Sequence, residues 1–110
     1  PAPDAYKAAI DQYRIELDLF MNTMKTRNQQ IRSINLLFKN SCDLALSEFK
    51  IAMVQARTPD QKNGAIAARK SAISAAVVAR DLAIAGLGAE PVPPVEPAKP
   101  QRAQGKNKSR

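Results

Sequence analysis

The sequence predicts an all-α protein in which a long helix pairs with a shorter, alanine-rich helix as a helical hairpin with coiled-coil character. Three observations predict this fold: apolar residues recur every three or four positions from Tyr6 to Ala56, no proline or glycine occurs between Asp4 and Arg57, and a helix-start signal follows at Thr58. We expect a helical domain over residues 1–89, with helices at about 4–57 and 59–87, and a disordered tail over 90–110.

The first helix begins with an apolar stripe whose spacings alternate between four and three. That alternation is typical of a helix that winds around a partner helix in a left-handed supercoil. Arg27 occupies the next position of the stripe, where a polar group costs stability and can fix the register. The stripe consists of Tyr6, Ile10, Tyr13, Leu17, Phe20 and Met24.

Two features complicate the long helix. The polar stretch Thr26-Arg27-Asn28-Gln29-Gln30 is the one place where a turn is compatible with the sequence, and a turn there gives a three-helix bundle as the alternative fold. Beyond it, Phe38, Cys42 and Leu46 follow one another at two successive spacings of four, which act as a stutter and locally unwind a supercoil.

The second helix has a clear start. Thr58 is a suitable N-cap, Pro59 fits the first helical position, Asp60 favours the positive end of the helix, and Gln61 completes a capping box. Alanines surround the apolar stripe of this helix, so we expect it to lie close to the first one. Gly86 and Gly88 precede Pro91 and predict its end.

The two helices differ in predicted length, at about 80 Å and about 42 Å by the helical rise of 1.5 Å per residue. The stripe from Tyr6 to Met24 therefore has no predicted partner within the chain. We expect another copy or another protein to cover it, which makes those six residues the predicted oligomer interface.

The chain is basic, with 17 Lys and Arg against 10 Asp and Glu and a net charge of +7. A polyanionic partner, nucleic acid or an anionic membrane, is the interpretation that this charge favours. Lys25, Arg32 and Lys39 recur every seven residues on one helix face, and the tail is proline-rich with a basic end. The predicted nucleic-acid-binding residues are Lys25, Arg32, Lys39, Lys99, Arg102, Lys106, Lys108 and Arg110. An ordinary solvated face, or a basic middle that pairs with the acidic start of a neighbouring helix, is the competing interpretation.

Composition argues against an enzyme. The sequence contains no His, and Cys42 is its one cysteine, which excludes Ser-His-Asp and Cys-His nucleophiles and His/Cys metal sites. We therefore expect no catalytic residue, no metal and no cofactor, and we expect Cys42 to be an inert thiol. No apolar run reaches the length of a transmembrane helix and no signal peptide is visible, so the expected location is the cytoplasm or the interior of a nucleoprotein particle.

These inferences give one leading hypothesis. The protein is expected to be a non-enzymatic structural or assembly protein that oligomerises or docks through its long helix and contacts nucleic acid without sequence specificity, as a subunit of a nucleoprotein particle or virion. The alternatives are an oligomeric scaffold or adaptor that binds no nucleic acid, and a peripheral binder of anionic membrane.

Overall fold

The computed structural model describes residues 2–100. Within that range it contains two helices and no strand: α1 (Ala2–Gln55) and α2 (Pro59–Ala85). The all-α prediction is confirmed. Relative to the predicted limits, α1 begins and ends two residues earlier, and α2 ends two residues earlier.

Helix α1 is continuous through residues 26–30. The polar side chains of this stretch leave the backbone free to follow the helical path, because neither proline nor glycine interrupts it. The turn on which the three-helix alternative depends is therefore not formed, and that alternative is wrong.

The described residues fall into two compact units. The first unit comprises residues 2–25 together with 90–100, and the second unit is Thr26–Ala89. The second unit contains most of α1 and all of α2, while the first contains the start of α1 and the proline-rich segment.

In the second unit, side chains satisfy the backbone at the turn between the helices. The Gln61 N–H donates to Thr58 Oγ1 at 3.1 Å and the Thr58 N–H donates to Gln61 Oε1 at 3.2 Å, which is the predicted capping box. The Arg57 guanidinium donates to the carbonyl oxygens of Val54 and Gln55 at 3.1 and 3.3 Å. These bonds supply partners to carbonyl groups that the end of α1 leaves unpaired.

The packed stripes of the second unit follow an eleven-residue repeat. In the α1 stripe the buried and half-buried residues are separated by four, three and four positions in turn, and in the α2 stripe they are separated by four, four and three. An eleven-residue repeat has 3.67 residues per turn and removes the tendency to left-handed winding. The two successive spacings of four that were expected once, as a stutter, therefore recur along the α1 stripe. The α1 stripe is Arg27, Ile31, Ile34, Phe38, Cys42, Ala45, Phe49 and Met53, with Ala56 just beyond the end of the helix. The α2 stripe is Ala65, Arg69, Ile73, Ala76, Arg80 and Ile84, with Leu87 just beyond the end of the helix. Leu46 and Ala52 of α1 are also half-buried, beside the α1 stripe.

Two arginine–aromatic pairs show the direction of α2. The Arg80 guanidinium lies over the Phe38 ring and the Arg69 guanidinium over the Phe49 ring, each 5.1 Å from the ring centroid. The pairs occur in opposite order along the two helices, so α2 runs antiparallel to α1. The buried residues between the helices are alanines, at positions 45, 65 and 76, which allows the backbones to approach closely.

Arg27 holds the chain just beyond the end of α2. Gly88 has a φ of +80°, a left-handed conformation that glycine adopts without strain. The chain leaves the helix at this point, and the Arg27 guanidinium donates to the carbonyl oxygens of Gly88 and Ala89 at 3.2 and 3.3 Å. The polar residue in the predicted apolar seam therefore binds the end of α2.

In the first unit, the proline-rich segment lies against α1. Residues 90–100 form no helix or strand, but Pro91, Pro94 and Pro97 are half-buried while Val92 and Val95 are exposed. A three-residue period is that of a polyproline II helix, which presents every third side chain on one face. Pro91, Val92 and Pro94 line a groove with four residues of α1, namely Glu16, Leu19, Phe20 and Thr23.

This arrangement bears on two expectations. The apolar stripe of α1 was expected to have no cover within the chain, and at Phe20 this is wrong because Pro91 and Pro94 lie beside it. Residues 90–110 were expected to be disordered in isolation, with an extended, partly polyproline II segment from Pro91 to Pro100. Residues 90–100 form no helix or strand and contact α1 over their first part, and the disorder of the tail stays a prediction. Proline loses little conformational freedom on ordering, so a small apolar contact suffices to offset the cost.

Candidate interaction surfaces

Among the described residues, the net positive charge lies in the second unit. That unit has nine Lys and Arg residues and four Asp and Glu residues, whereas residues 2–25 and 90–100 of the first unit have four and six. Within residues 2–100, a surface that attracts polyanions therefore belongs to the second unit, and the described part of the first unit is weakly acidic. Four more basic residues of the sequence, at positions 102, 106, 108 and 110, lie outside that range.

Three arginines of the second unit are engaged in packing. Arg27, Arg69 and Arg80 are half-buried, the first on backbone carbonyls and the others on aromatic rings. The Nε atoms of Arg69 and Arg80 are buried without a hydrogen-bond partner. Sequence analysis missed this role, although the eleven-residue interval shared by Phe38–Phe49 and Arg69–Arg80 is a signal for it.

The predicted basic ridge is exposed to solvent. Lys25 is exposed in the first unit, and Arg32 and Lys39 are exposed in the second. Lys39 Nζ donates to Asp43 Oδ2 at 2.7 Å. This hydrogen bond, together with the attraction of the Asp43 charge, raises the pKa of Lys39 above its ordinary value of 10.5. Part of the positive charge at Lys39 is thus balanced by its neighbour.

Lys50 extends the basic surface in a way that the sequence analysis did not recognise. It is exposed and follows Arg32 by 18 residues, which is five full turns at 3.6 residues per turn. Arg32 and Lys50 therefore lie on the same side of α1. The described residues contain two ion pairs, Lys39–Asp43 and Asp11–Arg14, so neither Arg32 nor Lys50 has a carboxylate within ion-pair distance.

The remaining predicted contacts are at the carboxyl-terminal end. Lys99 is exposed. Arg102, Lys106, Lys108 and Arg110 lie outside the described residues.

All six residues of the predicted oligomer interface, from Tyr6 to Met24, are half-buried, and their assignment to an interface stays a prediction.

A groove lined mainly by small and apolar side chains runs between α1 and α2 in the second unit. One stretch of it is lined by Ile34, Leu37 and Ser41 of α1 and Ala76, Ala79 and Ala83 of α2. A second stretch is lined by Ala45, Glu48 and Ala52 of α1 and Ala65, Ala68 and Ala72 of α2. We call these twelve residues the alanine groove. Glu48 is the charged residue among these twelve, and the two arginines that stack on Phe38 and Phe49 complete the lining.

Large apolar side chains stand along the α1 side of the alanine groove. Leu37, Leu44 and Ile51 are 68%, 59% and 58% exposed. They recur every seven residues, which keeps them on one side of the helix. Leu37 and Lys39 are two positions apart, or about 200° around the helix, so the apolar row and the basic surface face different directions.

The described residues offer no metal site of clustered ligands and no membrane-spanning helix. No cluster of three or more His, Cys, Asp or Glu side chains capable of holding a metal occurs within residues 2–100. Neither α1 nor α2 combines the length and the hydropathy that a bilayer crossing requires. Cys42 is a free, half-buried thiol.

The chain matches no known family model, and neither a curated protein nor a solved structure is significantly similar to it, so its function is inferred from the surfaces above.

Proposed function

We propose that the protein is a non-enzymatic assembly protein that binds nucleic acid without reading its sequence. In this proposal it is a helical hairpin with coiled-coil character, and it acts in the cytoplasm or inside a nucleoprotein particle. The observation that carries the proposal is the charge of the second unit, which has nine basic and four acidic residues. Arg32 and Lys50 are exposed there, and no carboxylate of residues 2–100 lies within ion-pair distance of either.

Arg32, Lys39 and Lys50 suit contact with phosphates. They lie on one side of a continuous helix, at intervals of seven and eleven residues, and project into solvent. Lysine and arginine that neutralise phosphates release counterions, which gives binding that is independent of base sequence and weakens steeply with salt. Lys99, and the basic residues that follow it in the sequence, add contacts of the same type.

The aromatic side chains support binding without base recognition. Base stacking needs exposed rings. All five tyrosines and phenylalanines, at positions 6, 13, 20, 38 and 49, are half-buried, and the two in the second unit are covered by arginines. A protein that offers charge and no free ring binds the backbone of the nucleic acid.

The test is a salt series with random-sequence DNA and RNA duplexes, read by fluorescence anisotropy. The double variant Arg32→Gln/Lys50→Gln is compared with Lys7→Gln/Arg14→Gln, which removes the same charge from the first unit. We expect the slope of log K against log salt to fall in magnitude by about 1.8 in the first variant on DNA, at about 0.9 for each lost phosphate contact. Equal effects of the two variants, or binding that does not respond to salt, contradict the proposal.

The exposed row of Leu37, Leu44 and Ile51 favours a second candidate, an oligomeric scaffold that binds no nucleic acid. The same titration separates the two, since a scaffold keeps its size after nuclease treatment and binds neither duplex. Binding of the basic surface to anionic vesicles but not to nucleic acid would instead support the peripheral membrane function.

A further inference from the structure

We propose that the alanine groove is the surface on which a second copy of this chain docks, groove against groove, to give a dimer whose second units form four helices in two layers. The inference rests on the assembly half of the proposed function and does not require nucleic acid. It assigns self-association to residues of the second unit, whereas the sequence predicts the stripe of Tyr6 to Met24 in the first unit as the interface.

The second unit lacks the burial that a stable layer needs. No large side chain is fully buried among residues 2–100, and the buried residues of the second unit are three alanines. Two packed helices cover one side of each other and leave the rest of each helix exposed, so stable helical domains usually add a second layer. The row of Leu37, Leu44 and Ile51 is the apolar surface that such a layer would cover.

The shape of the groove suits a copy of itself. Six alanines of α2, spaced by three and four residues, form one wall, and the row of Leu37, Leu44 and Ile51 lies along the other side. Small side chains allow helix axes to approach within about 8 Å. In a two-fold pair, the Leu37, Leu44 and Ile51 side chains of one copy meet the alanine wall of the other, and the reverse contact forms by symmetry.

The charge distribution favours a second copy as the occupant. Arg32, Lys39 and Lys50 lie on another side of α1, so two copies that meet through the groove keep their like charges apart. Pairing through the basic surface would place those residues against each other. A strongly charged helix from another protein would find Glu48 as its one free charged partner in the groove.

The available area is sufficient for a dimer. Thr26, Gln29, Gln30 and Ser33 continue the uncharged surface beyond Ile34, next to Leu87. From Thr26 to Ile51 the surface is about 38 Å long, and two helices side by side are about 20 Å wide. The product, roughly 760 Å², is close to the 800 Å² or so per partner of a standard interface.

The test compares Leu37→Glu with Leu36→Glu in the full chain after nuclease treatment. The two leucines are neighbours and are 68% and 58% exposed, and each substitution adds the same negative charge, but Leu37 lines the groove and Leu36 does not. Sedimentation equilibrium and light scattering measure the mass. We expect a dimer for the unmodified chain and for Leu36→Glu, and a dissociation constant at least a hundredfold higher for Leu37→Glu.

A second variant keeps the test valid if Leu37→Glu unfolds. Ser41→Lys adds charge to the groove without removing an apolar side chain, and it is expected to dissociate the dimer while circular dichroism shows retained helix. A monomeric unmodified chain at 50 μM or so, an assembly larger than two, or equal dissociation by the Leu36 and Leu37 variants overturns the proposal. If the Arg32/Lys50 variant loses nucleic-acid binding but remains a dimer, the result assigns binding to the basic surface and agrees with a dimer that forms through the groove.

Discussion

The guanidinium of Arg80 lies over the ring of Phe38, 5.1 Å from its centroid, and the pair Arg69–Phe49 repeats this geometry eleven residues away in each helix. In both pairs the arginine is half-buried and its Nε atom has no hydrogen-bond partner. The ring face attracts the cation and replaces part of its hydration. Two residues that look like surface charges in the sequence therefore pack between α1 and α2.

A double-mutant cycle tests this relationship. Arg80→Met keeps the apolar stem and removes the cation, and Phe38→Leu keeps the apolar volume and removes the ring. We expect a coupling energy of about 0.5 to 1 kcal/mol from urea unfolding of the single and double variants. Arg32→Met paired with Phe38→Leu is the control, because Arg32 is exposed, and should give no coupling. Zero coupling for the Arg80 pair would show that the stacking contributes nothing to stability.

The Arg27 contact predicts local destabilisation at the end of α2. Arg27→Lys keeps the charge but not the fork of donors that reaches both Gly88 and Ala89. We expect a loss of about 1 kcal/mol in unfolding free energy and faster amide exchange in the last turn of α2, at Ile84 to Leu87. The same substitution at Arg57 is the comparison, since its bonds to α1 carbonyls lie at the other end of the second unit. Unchanged exchange near Leu87 in Arg27→Lys would contradict the assigned role.

The capping box at Thr58 gives a third prediction. Thr58→Ala removes the acceptor for the Gln61 N–H and is expected to cost about 1 kcal/mol, whereas Thr58→Ser retains the oxygen and is expected to cost a few tenths at most. Thermal unfolding followed by circular dichroism measures both. If alanine and serine have the same effect, the hydroxyl does not stabilise the start of α2.

Parts of this fold that depend on a few adjacent residues are predictable from the sequence. The capping box lies within four residues, and the continuity of α1 follows from the absence of proline and glycine. What the sequence analysis missed depends on pairing between distant segments. In the sequence, Arg69 and Arg80 contribute only to the net charge, because their aromatic partners lie on another helix. Ala45 is among the most buried residues because α2 approaches it closely.

The proline segment shows the same limit. The sequence around Pro91 and Pro94 is typical of a spacer. Their contact with α1 is visible only in the structure, where Phe20 lies beside them. The nucleic-acid-binding residues illustrate a different case: Arg32 and Lys39 are exposed as expected, but exposure alone does not identify what they bind.

The packing of the proline segment predicts a difference between two adjacent prolines. Pro94 is half-buried and lines the groove beside Phe20, whereas Pro93 is exposed. Pro94→Ala and Pro93→Ala lose the same backbone restriction, so they differ in the contact with α1. We expect Pro94→Ala to speed limited proteolysis within residues 90–100 several-fold relative to Pro93→Ala, and Phe20→Ala to have the same effect. Equal cleavage of the two proline variants would mean that the segment does not pack through Pro94.

The Lys39–Asp43 pair predicts a gain of binding. Asp43→Asn removes the charge that faces Lys39, so the ammonium group becomes free to contact a phosphate, and the pKa of Lys39 is expected to return towards its ordinary value. We expect tighter binding to duplex DNA and a salt slope steeper by up to about 0.9. Asp81→Asn, which removes the same charge from α2 outside this pair, is the matched control and should change affinity less.

The sign of the pH dependence provides an independent check on the same pair. Because the folded-state pKa of Lys39 is raised, the contribution of the pair to stability is fully present below the ordinary lysine pKa of 10.5 and is lost as the pH rises through the folded-state value. Since both side chains are exposed, the effect on unfolding is small, and the change is best followed by the Lys39 Nζ resonance in an alkaline NMR titration. In Asp43→Asn the midpoint of that titration should move to lower pH, and a midpoint that does not move would show that Asp43 and Lys39 are not paired in solution.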